Sequence, residues 1–253
     1  MTTITKWGLE RSVEVPFLHW IGRASDNFPV KNFGLKGAAG DLINRVTYVP
    51  GVPIPPYQPL TNLGMWLSDG SAYPPAIDSG YDTFSTKNDA TDLEWSNNEF
   101  TLSCWFFCAG LVFDPCFLIT KSVSQGTWAT PPYYTFTLAL NSARRPFVGI
   151  MNNSNALVTA ASVTALTLGQ WYHLLGVFDG MQLRLYVNSI LVATQAVSTT
   201  IKWFNHGPWN IGRPYGNPSP TLPRGIIQDA KVFDKVLNQA QISAEYDLPR
   251  FGS

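Results

Sequence analysis

Residues 178–195, FDGMQLRLYVNSILVATQ, decide the fold. Leu183 and Leu185 alternate with residues that carry a polar end, which is the two-residue period of a strand with one buried face. Asn188 and Ser189 suit a tight chain reversal, and a second β-favouring run follows them. The segment therefore predicts an antiparallel β-hairpin.

Runs of the same kind surround this hairpin and are separated by turn-forming residues. They occupy residues 100–108, 116–122, 133–140, 146–151, 157–163, 170–180, 208–213 and 225–235. Short strands at this spacing, with almost no helical periodicity, predict an all-β, antiparallel two-sheet sandwich. The first run, FTLSCWFFC, is apolar on both faces and is expected at the centre of a sheet.

One short helix is predicted near the C terminus. Asn238 is suited to cap its first turn, and Gln241 stands three residues later, where the reciprocal partner of a capping box belongs. Ile242 is then expected to face the core.

Residues 1–80 differ in composition from the rest of the chain. They hold nine of the 19 prolines, and VPGVPIPPYQP at 49–59 predicts an extended, polyproline-like connector. The large apolar side chains of this region, too many for a solvated tail, are Trp7, Phe17, Trp20, Phe28 and Phe33. We therefore predict an irregular arm or small extension over 1–80, which lies on its own domain or on a neighbour, and a sandwich domain over 81–253.

The charge content is low and balanced. The chain has 17 Lys and Arg against 17 Asp and Glu, and these residues make up 13% of it, about half of the roughly 25% usual for a soluble domain. Without a basic surplus, nucleic-acid binding is not expected, and no apolar run has the length and continuity of a membrane span. Such a surface fits either a Ser-, Thr- and Asn-rich exterior or a subunit that buries part of its exterior in an assembly.

The cysteines Cys104, Cys108 and Cys116 are odd in number, so at least one is unpaired within the chain. Buried thiols are predicted, with a Cys108–Cys116 disulfide as the alternative, and a zinc site lacks a fourth ligand. The N terminus has no basic start followed by an apolar run, so no secretory signal is expected.

Four segments carry a family pattern: YDTFSTKNDATDLEWSNNEFTLSCWF (81–106), LITKS (118–122), LTLGQWYHLLGVFDGMQLRLYVNSILVA (166–193) and GIIQDAKVFDKVLNQAQI (225–242). Together they resemble the laminin-G-like, concanavalin A-like jelly-roll family. The third is the most specific, because that family typically shows G-x-W-Y-H, an aromatic-Asp-Gly turn and L-x-L-Y-V-N-G. Ser189 stands here where Gly is usual. The resemblance covers 81–248, implies a jelly-roll sandwich there, and leaves residues 1–80 unexplained.

The resemblance does not by itself assign a function, because the family includes lectins, adhesion modules, carbohydrate-binding modules, glycoside hydrolases and virion proteins. The laminarinase-like enzymes of this fold use a Glu-x-Asp-x-x-Glu strand, with two carboxylates about 5–5.5 Å apart. No such strand is present, and the nearest acidic cluster, Asp89, Asp92 and Glu94, lies in a loop. His173 is expected to be a packed strand residue. The sequence therefore predicts a protein that is not an enzyme and needs no cofactor.

Many members of the family hold a structural Ca²⁺ with Asp and Asn oxygens and carbonyls. The last strand of the family commonly reads G-x-I-D-D/E, whereas this chain has the neutral Gln228 at the first acidic position, which weakens such a site. Asp229, with Asp82 from the early loop, remains a weak candidate pair of metal ligands.

Two segments have the composition of a sugar-binding surface, in which aromatic faces stack on the ring and polar groups bind its hydroxyls. These segments, 122–134 and 202–225, contain the candidates Trp128, Tyr133, Trp203, Asn205, His206 and Tyr215. The alternative is that these side chains pack the loops onto the sandwich or onto a neighbouring subunit.

The function predicted first is a non-enzymatic structural or decoration subunit of a larger assembly, best matched by a bacteriophage virion protein with the jelly roll on its surface. Its partners would be other protein subunits, in a homo-oligomer or as capsid or tail proteins, and the 1–80 arm would contact them. A carbohydrate-binding module or lectin for cell-surface glycans is the alternative, and a glycoside hydrolase ranks last. The expected location is the virion, with export by a route without a classical signal as the alternative.

Overall fold

Sixteen strands and one helix form the part of the chain that the computed structural model describes, which is residues 2–6, 9–13, 15–16, 18–20, 34–36, 48–50, 63–67, 84–85, 98–110, 115–122, 134–198, 201, 207–212 and 225–247. The elements are β1 (Thr2–Lys6), β2 (Leu9–Val13), β3 (Leu18–Trp20), β4 (Tyr48–Pro50), β5 (Leu63–Leu67), β6 (Phe84–Ser85), β7 (Phe100–Cys108), β8 (Cys116–Ser122), β9 (Tyr134–Leu140), β10 (Pro146–Met151), β11 (Leu157–Ala161), β12 (Gln170–Phe178), β13 (Gln182–Val187), β14 (Ile190–Ala196), β15 (Trp209–Ile211), β16 (Gly225–Phe233) and α1 (Gln239–Asp247). The described helix is too short to cross a membrane.

The strands build two large sheets and a separate hairpin. The six-stranded sheet has the order β11-β10-β9-β8-β15-β6, and the eight-stranded sheet has the order β14-β13-β12-β7-β16-β5-β4, with β3 also paired to β16. β1 and β2 form the separate hairpin. The predicted antiparallel two-sheet sandwich with one short helix is confirmed, and β7 lies in the interior of its sheet as expected.

β13 and β14 form the predicted hairpin. Asn188 and Ser189 between them have φ values of 51° and 64°, the left-handed backbone that a two-residue hairpin turn of type I′ requires. Asp179 stabilises the preceding turn, because its Oδ1 accepts hydrogen bonds from the N–H groups of Met181 (3.0 Å) and Gln182 (2.7 Å).

The main core lies between the two large sheets. Phe100 of one sheet stacks on Phe136 of the other, with ring centroids 4.6 Å apart. Gly176 permits a close approach of the sheets, since a Cβ there would lie 2.6 Å from a methyl group of Val148. All three cysteines are buried in this core as thiols, as predicted: Cys104, Cys108 and Cys116.

Helix α1 begins with the predicted capping box. The Asn238 N–H donates to Gln241 Oε1 (2.8 Å), and the Gln241 N–H donates to Asn238 Oδ1 (3.0 Å). Ile242 is fully buried in a cluster with Leu175 and Phe233, which places the helix on the outer face of the eight-stranded sheet.

Short strands from the first 80 residues complete the eight-stranded sheet. β3 pairs with residues 230–232 of β16, β5 pairs with residues 225–227 on the same edge, and β4 continues the sheet beyond β5. Pro50 lies in this marginal strand, which is where a strand tolerates proline. Leu18 of β3 is fully buried in the main core. The sequence pattern does not predict these strands.

Most of the predicted arm residues lie outside the described part of the chain. The backbone of Trp20 lies in β3, opposite Ala230. Trp7, Phe17, Phe28 and Phe33 lie outside the described residues, and their contact with other subunits remains a prediction.

A β-bulge interrupts β16 between the residues that pair with β5 and those that pair with β3. The register with β7 shifts between Gln228 and Lys231, and Asp229 at the bulge has a φ of 52°. One half of β16 therefore pairs with β5 and the other half with β3.

Candidate functional site

The outer face of the eight-stranded sheet is covered by helix α1. The Trp105 ring stacks on Tyr246 of the helix, with centroids 5.5 Å apart. Trp105 and Trp171 are both buried in a cluster with Tyr246, outside the main core between the sheets. We infer that the contacts on this face stabilise the fold.

A buried ion cluster anchors the helix to this face. Lys231 Nζ lies 2.7 Å from Glu245 Oε2 and 2.8 Å from Asp229 Oδ2. Burial alone lowers the pKa of Lys231, but the two carboxylates outweigh it and hold the pKa above its usual value. The ammonium therefore stays charged, and the cluster is a structural ion pair network.

His173 is buried on the same face and is a packed strand residue, as predicted. Its Nε2 lies 2.8 Å from Ser103 Oγ, and its ring lies 5.2 Å from that of Trp105. Because Ser103 and His173 are each only 1% exposed, this pair offers no nucleophile to a substrate.

The predicted calcium ligands are not brought together by the described residues. Asp229 has the Lys231 ammonium beside its carboxylate, and Asp82 lies outside the described residues. No group of three or more His, Cys, Asp or Glu side chains that would hold a metal occurs among the residues described. A calcium site stays a prediction.

The outer face of the six-stranded sheet has a different character. Cross-strand register places Asn210 beside Thr120, Thr120 beside Thr137, and Thr137 beside Gly149. These side chains alternate along their strands with core residues such as Leu138. A row of small and uncharged polar groups therefore crosses this face, and its Asn and Thr members are fully buried.

Three buried polar atoms of this face have no hydrogen-bond partner in the described part of the chain: Thr120 Oγ1, Thr135 Oγ1 and Asn210 Oδ1. Leaving a buried polar group unpaired costs about 1–3 kcal/mol, so such groups are rare and require an explanation. Thr137 differs from them, because its hydroxyl donates to the Ile119 carbonyl at 3.2 Å.

Hydrogen bonds tie these groups to the start of β15. Asn210 Nδ2 donates to Ser122 Oγ (2.6 Å) and to the Pro208 carbonyl (3.2 Å), and the Ser122 N–H donates to the same carbonyl (2.9 Å). The Lys121 ammonium donates to the Gly207 carbonyl. We refer to the whole group as the polar corner: Thr120, Lys121, Ser122, Thr135, Gly207, Pro208 and Asn210.

The polar corner is the place where both predicted sugar-binding segments, 122–134 and 202–225, contact the six-stranded sheet. Ser122 and Tyr134, which lie opposite each other, are the ends of the 123–133 segment. Gly207, which ends the 202–206 segment, accepts the hydrogen bond from Lys121. Gly212, which precedes the 213–224 segment, is two residues from Asn210 in the chain.

The six candidate sugar-binding residues lie outside the described residues, so their contacts with a ligand remain predictions: Trp128, Tyr133, Trp203, Asn205, His206 and Tyr215. What the structure adds is that both flanks of 123–133, the end of 202–206 and the start of 213–224 lie near one corner of the sheet. The remaining flanks lie elsewhere, since Ile201 bridges Asn152 and Gly225 belongs to β16 of the other sheet.

Sequence reasoning missed the polar groups at that corner. Thr120 and Ser122 in β8, and Thr135 and Thr137 in β9, have the two-residue spacing of one strand face. That pattern is also typical of an ordinary solvated face, so spacing alone does not identify a site.

Comparison with protein families gives a match over most of the chain. The family model described as the concanavalin A-like lectin/glucanases superfamily matches residues 78–243. The range includes every strand from β6 to β16. No curated protein sequence matches the chain significantly.

Solved structures share the fold at low sequence identity. The binding domain of Paraclostridial Mosquitocidal Protein 1 superposes with a TM-score of 0.64 at 11% identity, over 92% of this chain and 52% of that one. The binding domain of Botulinum Neurotoxin DC in complex with SialylT gives 0.59 at 12% identity, over 94% and 52%. Trypanosoma rangeli sialidase gives 0.60 at 11% identity, over 99% and 36%. This chain thus spans about half of each toxin domain and about a third of the sialidase, and the likeness concerns the fold alone.

Proposed function

The chain belongs to the concanavalin A-like lectin/glucanases superfamily, and we propose that it is a non-enzymatic module of this fold that binds carbohydrate at the polar corner. The carrying observation is the set of unpaired atoms on Thr120, Thr135 and Asn210. These side chains are buried in the structure, so the proposal requires the surrounding groups to move aside when a sugar binds. The proposal also draws on the neurotoxin binding domain whose structure contains SialylT.

The chemistry of these atoms suits sugar hydroxyls. Asn210 Oδ1 accepts a hydrogen bond only, whereas a Thr hydroxyl both donates and accepts. A sugar hydroxyl also does both, so it can pair with either kind of group. The three unpaired groups carry no charge, and the Lys121 ammonium lies over the ring of the core residue Trp209, on the other face of the strand, so the corner favours an uncharged ligand. The aromatic candidates Trp128 and Trp203 would supply the stacking faces.

The absence of catalysis is part of the proposal. A retaining hydrolase of this fold needs two carboxylates about 5–5.5 Å apart. The described Asp and Glu side chains lie on the eight-stranded sheet, its loops and helix α1, and none lies on the outer face of the six-stranded sheet within the described ranges.

Glycan-array binding followed by calorimetry on a hit tests this function. Thr120→Val removes an unpaired hydroxyl at nearly constant shape, so we expect roughly fivefold weaker binding with stability unchanged or raised by about 1 kcal/mol. Trp128→Ala and Trp203→Ala are expected to abolish detectable binding.

The matched control is Thr137→Val, the same exchange at a neighbouring position of the same face. Its hydroxyl is already bonded to Ile119. We therefore expect unchanged glycan affinity and a loss of about 1 kcal/mol in stability. Equal losses of affinity in the two Thr variants, or no binding to any glycan by folded wild-type protein, would reject a carbohydrate site at the polar corner.

A second role, as a structural subunit of a larger assembly such as a bacteriophage virion, is supported by a different observation. Large apolar side chains are exposed at both ends of the β13–β14 hairpin, with Ile190 and Leu191 at one end and Met181 at the other. Exposed apolar side chains of this size occur at protein–protein contacts. The protein's presence or absence in purified particles tests this role, and the two roles are compatible.

A further inference from the structure

Two neighbouring loops at one end of the sandwich are joined by hydrogen bonds. They are the β9–β10 turn, residues 141–145, and the β11–β12 loop, residues 162–169. The Leu166 N–H donates to the Arg144 carbonyl (2.9 Å), and Arg144 Nε donates to the Leu166 carbonyl (3.0 Å). Leu166 is buried in the main core, so both loops are fixed to the sandwich.

The β11–β12 loop exposes two aliphatic side chains. Val163 is 81% exposed and Leu168 is 45% exposed. Val163 lies within a turn closed by its neighbours, because the Thr164 N–H donates to Ser162 Oγ at 3.0 Å. Turns favour Gly, Asn, Asp, Pro and Ser, whereas β-branched residues favour strands, so local structure does not account for valine here. Two such side chains in one short loop are more than a single scattered exposure.

Two consecutive arginines lie beside this loop. Arg144 has a φ of 59°, in the left-handed region that glycine adopts without cost. A long cationic side chain at a strained position is a marker of function. Arg145 is exposed, and neither loop contains Asp or Glu, so the two loops carry a local positive charge in a chain that is neutral as a whole. We refer to Arg144, Arg145, Val163 and Leu168 as the basic tip.

We propose that the basic tip docks on an anionic lipid surface, where Val163 and Leu168 enter the headgroup region and the two arginines bind lipid phosphates. A guanidinium group offers paired N–H donors that match the oxygens of a phosphate. Contacts between proteins are usually centred on aromatic anchors, and the two loops contain no aromatic residue. The combination of aliphatic and cationic side chains therefore favours lipid over a protein partner.

The two kinds of contact are needed together, because each is weak alone. Stable anchoring at a bilayer surface generally takes two signals, such as an inserted apolar group and attraction of cationic side chains to anionic lipid. We therefore expect reversible docking that requires anionic lipid and weakens with salt.

The basic tip and the polar corner lie at opposite ends of the β8–β9 pair. The β9–β10 turn follows Leu140, which pairs with Cys116, whereas the polar corner lies where Ser122 pairs with Tyr134. A chain docked by its basic tip holds the polar corner away from the bilayer. The lipid proposal does not rest on the carbohydrate proposal, and the two sites are tested by different variants.

Vesicle flotation of the full chain tests the docking. We expect the wild type to float with phosphatidylcholine vesicles that contain about 30% phosphatidylserine, and not with pure phosphatidylcholine. Salt at about 1 M should release it, because charges are then screened beyond about 3 Å. Arg145→Gln should bind about fivefold more weakly. Arg184→Gln, which removes the same charge from β13, is the matched control and should bind as the wild type does.

The apolar contact is tested in the same assay. Val163→Ser should bind about tenfold more weakly, because it removes the inserted methyl groups. Met181→Ser is the control, since Met181 is 77% exposed after the far end of β12 and its variant should bind normally. Circular dichroism establishes that each variant is folded.

A dye at the tip distinguishes lipid from a protein partner. The native cysteines are buried, so Val163→Cys provides an accessible thiol for an environment-sensitive dye, whose emission should shift to the blue with phosphatidylserine vesicles. The same dye on Ser154→Cys, in the exposed β10–β11 turn, should not shift. The proposal is overturned by absence of flotation, by flotation that does not need phosphatidylserine, or by normal binding of both Arg145→Gln and Val163→Ser. A blue shift at residue 163 without vesicles would identify a protein contact and would also overturn it.

Discussion

Lys231 places a full charge inside the protein, and its two carboxylate partners make that tolerable. Glu245→Gln removes one of them and leaves the buried ammonium with Asp229 alone. Removing one member of a buried ion pair leaves the charge of the other member less compensated in an apolar environment. We therefore expect a loss of about 3 kcal/mol in the free energy of unfolding, measured by chemical denaturation.

The control for that prediction is an ion pair at the surface. Arg184 lies 3.0 Å from Asp179, and the two side chains are 26% and 28% exposed. Water screens this pair, so Arg184→Gln is expected to cost less than about 1 kcal/mol. Similar losses in the two variants would mean that the Lys231 cluster is not the anchor of helix α1.

The buried thiols make a prediction about pH. Burial raises the pKa of Cys108 to about 11 from an ordinary value near 9, and burial also raises the pKa of Cys104. A thiol whose pKa is higher in the folded state contributes stability that is complete below pH 9. That contribution falls as the pH rises toward 11, because the unfolded chain ionises first.

The corresponding measurement is alkylation by iodoacetamide, which reacts with thiolate. We expect native protein at pH 8.5 to label far more slowly than the denatured chain, which should take up label at all three cysteines. Rapid labelling of one native cysteine would contradict its burial between the sheets.

At the scale of the element, the β13–β14 turn contains a position where serine is strained. Ser189 has a φ of 64°, which glycine adopts without cost and other residues do not. Ser189→Gly is therefore expected to raise the free energy of unfolding by about 0.5–1 kcal/mol, the relief of strain exceeding the entropy lost from the unfolded chain. Ser154→Gly, at an exposed turn residue without positive φ, should lower stability slightly, and the reverse order of the two variants would reject this account of the turn.

The elements that could be predicted from the sequence are those fixed by neighbouring residues. The hairpin around Asn188 and Ser189 and the capping box of Asn238 and Gln241 are local patterns, and the structure forms them as expected. The central position of the FTLSCWFFC strand follows from its two apolar faces. The succession of the later strands along the chain follows from their β-favouring runs and the turn residues between them.

The elements that could not be predicted depend on residues far apart in the chain. β3 has three residues and is a strand because β16, more than 200 positions later, pairs with it. Asn210 and Thr120 become neighbours only when β15 pairs with β8, so the polar corner has no local signature. The partnership of Lys231 with Glu245 depends on how helix α1 lies on the sheet, which the capping box does not specify.

At the scale of the whole molecule, the eight-stranded sheet includes strands that lie before the start of the family match. The match begins at residue 78, after β3, β4 and β5. These three strands nevertheless belong to the eight-stranded sheet and cover one edge of β16. Without them, β16 would present unpaired backbone groups beside Ile226 and Ile227, which is a template for aggregation. The first 80 residues are therefore expected to be needed for a stable fold.

Leu18 provides the test of that expectation with a single side chain. It is the residue of β3 that reaches the main core, where it is fully buried, so Leu18→Ala should cost about 2–5 kcal/mol in the free energy of unfolding. Leu35→Ala is the matched control, since Leu35 is 64% exposed and its truncation should change stability by less than about 0.5 kcal/mol. If both variants unfold at the wild-type denaturant concentration, the N-terminal segment does not pack into this core. A chain that starts at residue 78 would then be as stable as the whole one, and the sheet would end at β16.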